Sequence, residues 1–277
     1  MIKPFIKWAG SKKQLLNDID RYLPKYYPDA CYIEPFVGSG SVLFHLQPKH
    51  AIINDANTDL INSYKIIRKD PKAVLNALDK LYVSEEDYYH IRNEYNTNPN
   101  LSDFQRAIYL LYMNWAGFHG LYRVSKNGNY NVPIEASFKG KKFPWREKFY
   151  KKIDDILDTS VYLQNVIILN KSYIDLEKYN SYGKSFWYFD PPYAKTWNNY
   201  SNPNGQSLWD GPEQIRLKDM CDKITKAGNK FMLSNSNVPF IQDLYKDYNI
   251  HIVNTRRLIA AKGSNRNETS ELLITNY

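Results

Sequence analysis

The feature that most limits what this chain can fold into is an alternation of short apolar runs with longer stretches of helical periodicity. Strands that alternate with helices predict a mostly parallel sheet with helices on both faces. Polar residues separate the last two runs, which we therefore expect to pair as an antiparallel hairpin. The seven predicted strands are Cys31 to Phe36, Ala51 to Asn54, Val166 to Leu169, Ser185 to Phe189, Lys230 to Ser234, Ile250 to Val253 and Glu271 to Thr275.

Strand signals are sparse between residues 59 and 154, where helical patterns lead into a turn-rich stretch and Asn127-Gly128 marks a hairpin turn. We predict that residues 59–153 form an inserted, mainly helical domain, and that residues 1–58 and 154–277 together form the sheet domain. The predicted helices are Lys12 to Tyr22, Ser41 to Leu46, the segment carrying Leu60, Ile61, Tyr64 and Ile67, Phe104 to Met113, and Pro212 to Ala227.

The formal net charge of +8 is concentrated in one segment, because residues 115–152 hold nine basic residues and only two acidic ones. Aromatic residues interleave with these charges, as phosphate contacts mixed with base-stacking groups require. A solvated basic face with ordinary core aromatics is the alternative. The chain has two cysteines and five histidines without the close pairing of a zinc site, so we predict no metal. Charges interrupt every apolar stretch of the N-terminus, so we expect no membrane span and a cytoplasmic protein.

The first candidate site motif is the run Glu34-Pro35-Phe36-Val37-Gly38-Ser39-Gly40, in which a strand enters a glycine turn before a helix. Gly38 and Gly40 would let the backbone approach a ligand closely. Asp55 ends the next strand, where a carboxylate can accept both hydroxyls of a ribose. The third glycine of the dinucleotide fingerprint is missing, so the pattern indicates a nucleoside-containing cofactor other than NAD. A tight turn beside a surface aspartate is the structural alternative.

The second motif is Asp190-Pro191-Pro192-Tyr193, which ends the apolar strand Trp187 to Phe189. Prolines have no N–H group and a fixed φ, so the Asp190 side chain and the neighbouring carbonyls would form a rigid row of acceptors. Such a row suits an amine conjugated to a ring, and Tyr193 could stack on that ring. A strand that merely ends in prolines is the alternative.

Together the motifs resemble the Dam-like N6-adenine DNA methyltransferases over essentially the whole chain. The matching segments, in the family's order, are Phe5-x-Lys7-Trp8-Ala9-Gly10-Ser11-Lys12, the glycine turn, Asn54-Asp55, Asn114, Gly120-Leu121-x-Arg123, Asn131-Val132-Pro133, Asp190-Pro191-Pro192-Tyr193 and Leu233-Ser234-Asn235. The resemblance implies an α/β fold: a Rossmann-like, seven-stranded methyltransferase sheet that binds S-adenosyl-L-methionine (AdoMet), with an inserted DNA-recognition domain. It also implies methyl transfer to the exocyclic amine of adenine.

Residue by residue, the resemblance implies an AdoMet pocket and a DNA-facing segment. In the family, Phe118 corresponds to the aromatic wedge where the adenine leaves the duplex, Leu121 and Arg123 to readers of base edges, and Pro133 to a further base contact. The implied cofactor residues are Trp8, Lys12, Phe36, Gly38, Gly40, Asp55 and Asp190, the catalytic residues are Asp190, Pro191, Pro192 and Tyr193, and the DNA-binding residues are Lys7, Phe118, His119, Leu121, Arg123 and Pro133.

The chain departs from the family at two motif positions, since the family often has Gly where Ser11 stands and Asn where His119 stands. The loop from Ala194 to Pro212 is long, contains aromatic residues and differs from that of the family, so it receives no assigned contact. Arg256, Arg257, Lys262 and Arg266 could hold phosphates or form an ordinary charged hairpin.

Lys7, Leu121 and Arg123 match the Dam pattern and predict recognition of GATC or a close relative. One chain contains every part that the reaction needs, so we expect it to act as a monomer, with a cognate restriction endonuclease as a possible partner. Three rival functions remain open: methylation of RNA adenine, methylation of protein glutamine, and nucleic-acid binding by an inactive relative. Asp at position 190 and the basic insertion favour DNA over glutamine, because glutamine methyltransferases typically have Asn at that position and no such insertion.

Overall fold

The computed structural model describes residues 2–150, 152–181, 183–193, 209, 211–256 and 268–277. Its strands are β1 (Cys31–Glu34), β2 (Ala51–Asn54), β3 (Tyr82–Val83), β4 (Phe143–Pro144), β5 (Val166–Leu169), β6 (Ser185–Phe189), β7 (Lys230–Ser236), β8 (Asn249–Arg256) and β9 (Glu268–Thr275). Its α-helices are α1 (Leu16–Arg21), α2 (Ser41–Leu46), α3 (Thr58–Lys69), α4 (Pro71–Asp79), α5 (Glu85–Thr97), α6 (Asp103–Ala116), α7 (Trp145–Phe149), α8 (Lys152–Leu163), α9 (Gly211–Lys226) and α10 (Pro239–Leu244).

Seven strands form one sheet in the order β5-β2-β1-β6-β7-β9-β8, which confirms the predicted seven-stranded α/β fold. β1 pairs in parallel with β2 and β6, and β6 pairs in parallel with β7. β8 and β9 form the predicted antiparallel hairpin, and β9 also pairs antiparallel with β7. From β1 the chain continues to β2 on one side of the sheet and later returns to β6 on the other side, so the strand order changes direction between β1 and β6. Ligands of open α/β sheets bind outside the carboxyl ends of the strands at such a switch point.

The chain divides into two compact units. The first comprises Met1–Ser11, Gly38–Gln47 and Asp55–Asn170, and the second Lys12–Val37, Pro48–Asn54 and Lys171–Tyr277. The first unit contains helices α2 to α8 and a two-stranded sheet of β3 and β4 that the sequence did not predict. The predicted boundaries of the recognition and sheet domains stay predictions.

Local sequence explains where the helices of the first unit begin. The Asn57 side chain accepts a hydrogen bond from the Leu60 amide at the start of α3, and Ser102 and Gln105 form a reciprocal capping box at the start of α6. The predicted turn at Asn127-Gly128 is also present, with Val124 bridged antiparallel to Tyr130. Gly128 has φ +81°, which a glycine adopts without strain.

The core of the second unit consists of apolar strands that lead into the candidate site. All five residues of β6 are buried, as are Leu272, Leu273 and Ile274 of β9. Continuous apolar runs of this kind are expected where both faces of a strand are covered. No helix in the described ranges is both long and apolar enough to cross a bilayer.

Candidate active site

Asp190 follows directly after β6 and carries the central charge of the second unit's site. Its Oδ1 lies 2.7 Å from Nζ of Lys12, and the two side chains keep 20% and 7% of their exposure. α1 starts at Leu16 rather than at Lys12 as predicted, so Lys12 lies in the non-helical segment ahead of the helix. The sequence motifs of two distant segments therefore meet in one buried ion pair.

Burial raises the pKa of the Asp190 carboxyl to about 6, the positive charge of Lys12 opposes that rise, and the negative charge of Glu271 adds to it. Taking a carboxylate out of water disfavours its ionised form, whereas a cation within contact distance favours it. The site thus holds an acceptor that ionises just below neutral pH, and carboxyl groups with raised pKa values are concentrated at functional sites.

Tyr193 is fixed from two sides in the same unit. Its hydroxyl donates a 2.6 Å hydrogen bond to Oε2 of Glu271, and Nζ of Lys12 lies 4.9 Å from the centroid of its ring. The Tyr193 side chain has intermediate exposure, so it remains partly accessible to solvent. An aromatic ring held in this way can present a defined face to a planar ligand.

The proline segment is also tied to the core. The Pro192 carbonyl accepts a 3.1 Å hydrogen bond from Nε2 of Gln214, and Oε1 of Gln214 accepts one from Nδ2 of Asn235 at 3.0 Å. Gln214 and Asn235 are fully buried. The side-chain amides of Gln214 and Asn235 therefore hold the backbone next to Asp190 in place, as a preorganised row of acceptors requires.

Aromatic rings pack around Phe36 at the end of the same sheet. Its ring centroid lies 5.2 Å from those of both Tyr173 and Trp209, and the latter two lie 5.3 Å apart. The hydroxyl of Tyr173 donates to Oε1 of Glu213 at 2.8 Å. Phe36 is thus part of an aromatic cluster, of which the sequence motif identified one member.

In the first unit, the glycine turn is organised by Asp55. Oδ2 of Asp55 accepts a 3.1 Å hydrogen bond from the Gly38 amide, and Oδ1 accepts one from the Asn57 amide at 2.9 Å. Gly40 has φ +73°, and a Cβ there would lie 2.7 Å from atoms of Phe44 and Tyr64. Only glycine therefore fits at position 40 without displacing neighbours.

Asp55 is itself buried, with 8% exposure. Burial raises the pKa of its carboxyl to about 6, and hydrogen bonds from backbone amides oppose that rise. Trp8 belongs to the same unit, where its ring stacks on Tyr122 at a centroid distance of 4.6 Å. A Cβ at Gly38 would lie 3.1 Å from Cδ1 of Trp8, so the indole also packs on the turn.

Lys7 is fastened to the segment that the resemblance assigns to DNA. Asn114 accepts from the Lys7 amide at 3.0 Å, and its Nδ2 donates to the carbonyls of Lys7 and Gly120 at 2.9 and 3.0 Å. Gly120 has φ +67°, and a Cβ there would overlap Cδ of Lys7. Burial lowers the pKa of the Lys7 ammonium, whose Nζ lies 4.9 Å from the centroid of the Trp115 ring.

Phe118 and His119 form a short turn clamped by the strand-like segment that follows. The Phe118 amide donates to the Pro133 carbonyl at 2.8 Å, and the His119 amide donates to Oε2 of Glu135 at 3.0 Å. The Phe118 side chain keeps 40% exposure, which is high for a phenylalanine in a well-packed unit. His119 adopts a left-handed backbone with φ +53°, a conformation that asparagine tolerates better than most residues.

Arg123 is preoriented by Asn131. Its Nε donates to Oδ1 of Asn131 at 2.7 Å, and its Nη2 donates to the Asn131 carbonyl at 3.2 Å. Leu121 and Arg123 keep intermediate exposure and Pro133 is exposed, so all three are accessible in the first unit.

The family model of D12 class N6 adenine-specific DNA methyltransferases matches residues 8–259 of this chain. The chain belongs to this family. It is similar to the type II methyltransferase M.MjaIII of Methanocaldococcus jannaschii, with 38% identity over 100% of this chain and 99% of that protein. The type II methyltransferase M1.LlaDCHI of Lactococcus lactis subsp. cremoris is 34% identical over 100% and 96% of the two chains. The DNA adenine methylase of Escherichia coli is 32% identical over 98% and 94%.

Membership in the D12 class confirms the resemblance seen in the motifs and the prediction of an adenine-specific DNA methyltransferase. It favours DNA adenine over RNA adenine and protein glutamine as the substrate. The residue assignments within the D12 fold stay predictions. Of the positions considered in the sequence, residues 194–208, 210 and 257–267 lie outside the described residues, as does the side chain of Arg256.

Sequence reasoning missed Glu271 and Gln214 as parts of the candidate site, and it named Asn235 only within the family motif Leu233-Ser234-Asn235, without a role. Glu271 was predicted only as the start of a strand, and Gln214 only as part of a helix. No local signal marked Glu271 or Gln214, because Glu271 follows the polar residues Thr269 and Ser270, and Gln214 follows Glu213 in a helix of mixed polarity.

Proposed function

We propose that this D12-class enzyme transfers a methyl group from AdoMet to N6 of an adenine flipped out of duplex DNA, within GATC or a closely related site. The observation that carries the proposal is the Asp190–Lys12 pair beside the fixed ring of Tyr193, at the carboxyl end of β6. The amine of adenine lies on its pairing edge inside the duplex, so the base has to leave the stack before Asp190 can reach it.

The chemistry of the donor set fits AdoMet. In the first unit, the buried Asp55 carboxylate suits the two hydroxyls of a ribose, Trp8 offers aromatic surface to an adenine ring, and the glycine turn keeps side chains out of the way. In the second unit, Phe36 also offers aromatic surface. Lys12 and Asp190 offer charges of both signs to the amino-acid end of the cofactor. When bound, AdoMet supplies an electrophilic methyl group on its sulfonium.

The residues of the chain would prepare the adenine amine as the nucleophile. The Asp190 carboxylate and the Pro191 carbonyl would accept its two N–H groups, which draws the nitrogen lone pair out of conjugation with the ring. Tyr193 would stack on the base. As the N–C bond forms and the bond between the methyl carbon and sulfur breaks, which would leave a neutral thioether, positive charge would grow on N6. Asp190 would stabilise that charge, and one N6 proton would pass to the carboxylate.

Recognition of the site would rest on Arg123 and its neighbours. An arginine fork reads N7 and O6 of guanine, and one such contact discriminates against the wrong base by about 1–3 kcal/mol. The Asn131 contacts hold the guanidinium in a fixed orientation, which supports a reading role. Leu121 and Pro133 would contact base edges. Lys7 and His119 would also contact the DNA at this site. Phe118 would fill the space that the flipped adenine leaves in the duplex.

The concentration of basic residues between positions 115 and 152 supports a polyanionic substrate. We further propose residues 59–153 as the recognition insertion and residues 1–58 and 154–277 as the AdoMet-binding part. We propose that one chain acts alone, and that a restriction endonuclease of the same site accompanies it. Sedimentation of the enzyme on a single-site duplex tests the first point, and a host nuclease that cuts only unmethylated plasmid tests the second.

The decisive experiment is to incubate an unmethylated plasmid with the protein and AdoMet and to map every N6-methyladenine. We expect methylation of the adenine in GATC or a near relative. A recognition motif with no guanine that depends on Arg123 would contradict the assignment. Transfer to RNA alone, or to no nucleic acid, would contradict the proposed substrate.

A further inference from the structure

We propose that Glu271 is a positioning residue for methyl transfer, which fixes the ring of Tyr193 and places a second negative charge beside Asp190. The inference rests on the proposed function and goes beyond it, because Glu271 lies in none of the motifs that mark the family. It acts through Tyr193 and Asp190 rather than on the adenine itself.

The backbone of Glu271 is held in the interior of the sheet. In β9 it stands opposite Ser236 of β7 and Val253 of β8, so strands flank it on both sides. The next three residues of β9 are fully buried. Placing a carboxylate at the head of such a run is costly unless it is hydrogen-bonded. The 2.6 Å hydrogen bond from the Tyr193 hydroxyl supplies that partner.

This hydrogen bond has a clear consequence for Tyr193, whose segment is neither helix nor strand. Fixing the hydroxyl at one end of the ring, while the backbone fixes the other, leaves the ring plane little freedom. A flipped base stacks productively only on a ring that is already oriented, and a small misplacement can reduce a rate by about 100-fold. Glu271 would therefore contribute to turnover without touching the substrate.

Charge provides the second consequence. Lys12 contacts Asp190 and lies over the Tyr193 ring, whose hydroxyl binds Glu271, so this cluster holds one cation and two carboxylates. The net negative charge of this cluster favours a nitrogen that becomes positive during the reaction. Glu271 is also one of the groups that raise the pKa of the Asp190 carboxyl. Removing its charge should therefore make Asp190 ionise at lower pH.

Three variants separate the two effects. Glu271→Gln removes the charge and keeps an oxygen that can accept from Tyr193. Tyr193→Phe removes the hydroxyl and keeps the charge, whereas Glu271→Ala removes both. Glu177→Gln is the matched control, because that carboxylate pairs with Lys223 at 2.9 Å in the same unit. Thermal unfolding of each variant confirms that the comparison is made between folded proteins.

Two readouts are needed: the pH profile of kcat, and the titration of the Asp190 carboxyl followed by carbon-13 NMR in the free protein. We expect Glu271→Gln to move both midpoints to lower pH, Tyr193→Phe to lower kcat at an unchanged NMR midpoint, and Glu271→Ala to do both, with about a 10- to 100-fold loss of kcat. Glu177→Gln should match the wild type.

The proposal is overturned if the wild type methylates DNA while Glu271→Gln leaves the Asp190 midpoint unchanged, or while Glu271→Ala retains full kcat. A wild-type protein that transfers no methyl group to DNA would instead overturn the proposed function, a result that the Glu271 variants cannot imitate because the wild type is assayed first.

Discussion

Replacing Lys12 with methionine should destabilise the fold in a manner that depends on pH. The 2.7 Å ion pair is well buried on the lysine side and keeps 20% exposure on the Asp190 side. Removing one partner of a buried pair costs about 3–5 kcal/mol, and the residual exposure of Asp190 places the expected loss near 3 kcal/mol. That free energy corresponds to a change on the order of a hundredfold in the ionisation equilibrium of Asp190.

The sign of the pH dependence follows from the direction of the pKa shift. Burial already raises the pKa of Asp190 in the folded protein to about 6. The protonated Asp190 carboxyl therefore contributes its full stabilisation of the fold below the unfolded pKa of 3.8, and this stabilisation is lost as pH rises through the folded pKa. Without Lys12 that folded pKa rises further. The wild type and Lys12→Met should therefore have nearly equal stability at pH 5, and the variant should fall progressively behind as pH rises above 6, by about 2–3 kcal/mol at pH 8.

Urea unfolding at pH 5 and pH 8 measures this difference directly. Lys13→Met is the matched control, because Lys13 is the adjacent lysine and is exposed. It should change stability little at either pH, since isolated surface charges contribute little. A loss for Lys12→Met of equal size at both pH values would refute the reasoning, because it would mean that Lys12 stabilises the fold by packing rather than by its charge.

Three further predictions concern the residues of the proposed reaction. Asp190→Ala should nearly abolish methyl transfer while leaving affinity for duplex DNA largely intact, as measured by single-turnover kinetics and a gel-shift titration; equal losses in both assays would show that its role is misassigned. Arg123→Ala should relax discrimination at one guanine of the site by about 1–3 kcal/mol, measured as kcat/KM on duplexes that differ at that base pair, whereas uniform weakening on all duplexes would indicate a phosphate contact instead. His119→Asn should raise stability by a few tenths of a kcal/mol, because asparagine adopts the left-handed backbone at φ +53° more readily than histidine; a lower thermal midpoint would mean that the imidazole makes a stabilising contact.

Much of the fold follows from local sequence. β2, β5 and β6 span the predicted residues, because each is an apolar run bounded by polar or turn residues. β1 ends at Glu34, two residues before the predicted end, since the chain already turns at Pro35 toward the glycines. The two-residue strands β3 and β4 were not predicted, because two residues are too few to show the alternation of apolar and polar side chains that marks a strand.

The site was predictable where a motif carries it and hidden where pairing between distant strands creates it. Asp190, Tyr193 and Asp55 stand in recognisable patterns. The hydrogen bond from Tyr193 to Glu271 joins residues 78 positions apart in the chain, and it depends on the register in which β9 pairs with β7. A register shift of one residue would turn Glu271 to the opposite face of the sheet, and no local pattern fixes that register.

Asp55 and Asp190 illustrate how similar pKa values can serve different chemistry. Both carboxyl groups have pKa values raised to about 6 by burial. Backbone amides of Gly38 and Asn57 hold Asp55, and amides neither titrate nor reorient, which suits a permanent acceptor for neutral hydroxyl groups. Asp190 is paired with the ammonium group of Lys12. Because the lysine side chain is flexible, its ammonium group can move away from Asp190 as a second positive charge develops nearby. The pairing of Asp190 with a lysine rather than with amides is therefore what would fit it to the proposed reaction, in which charge develops on the substrate nitrogen.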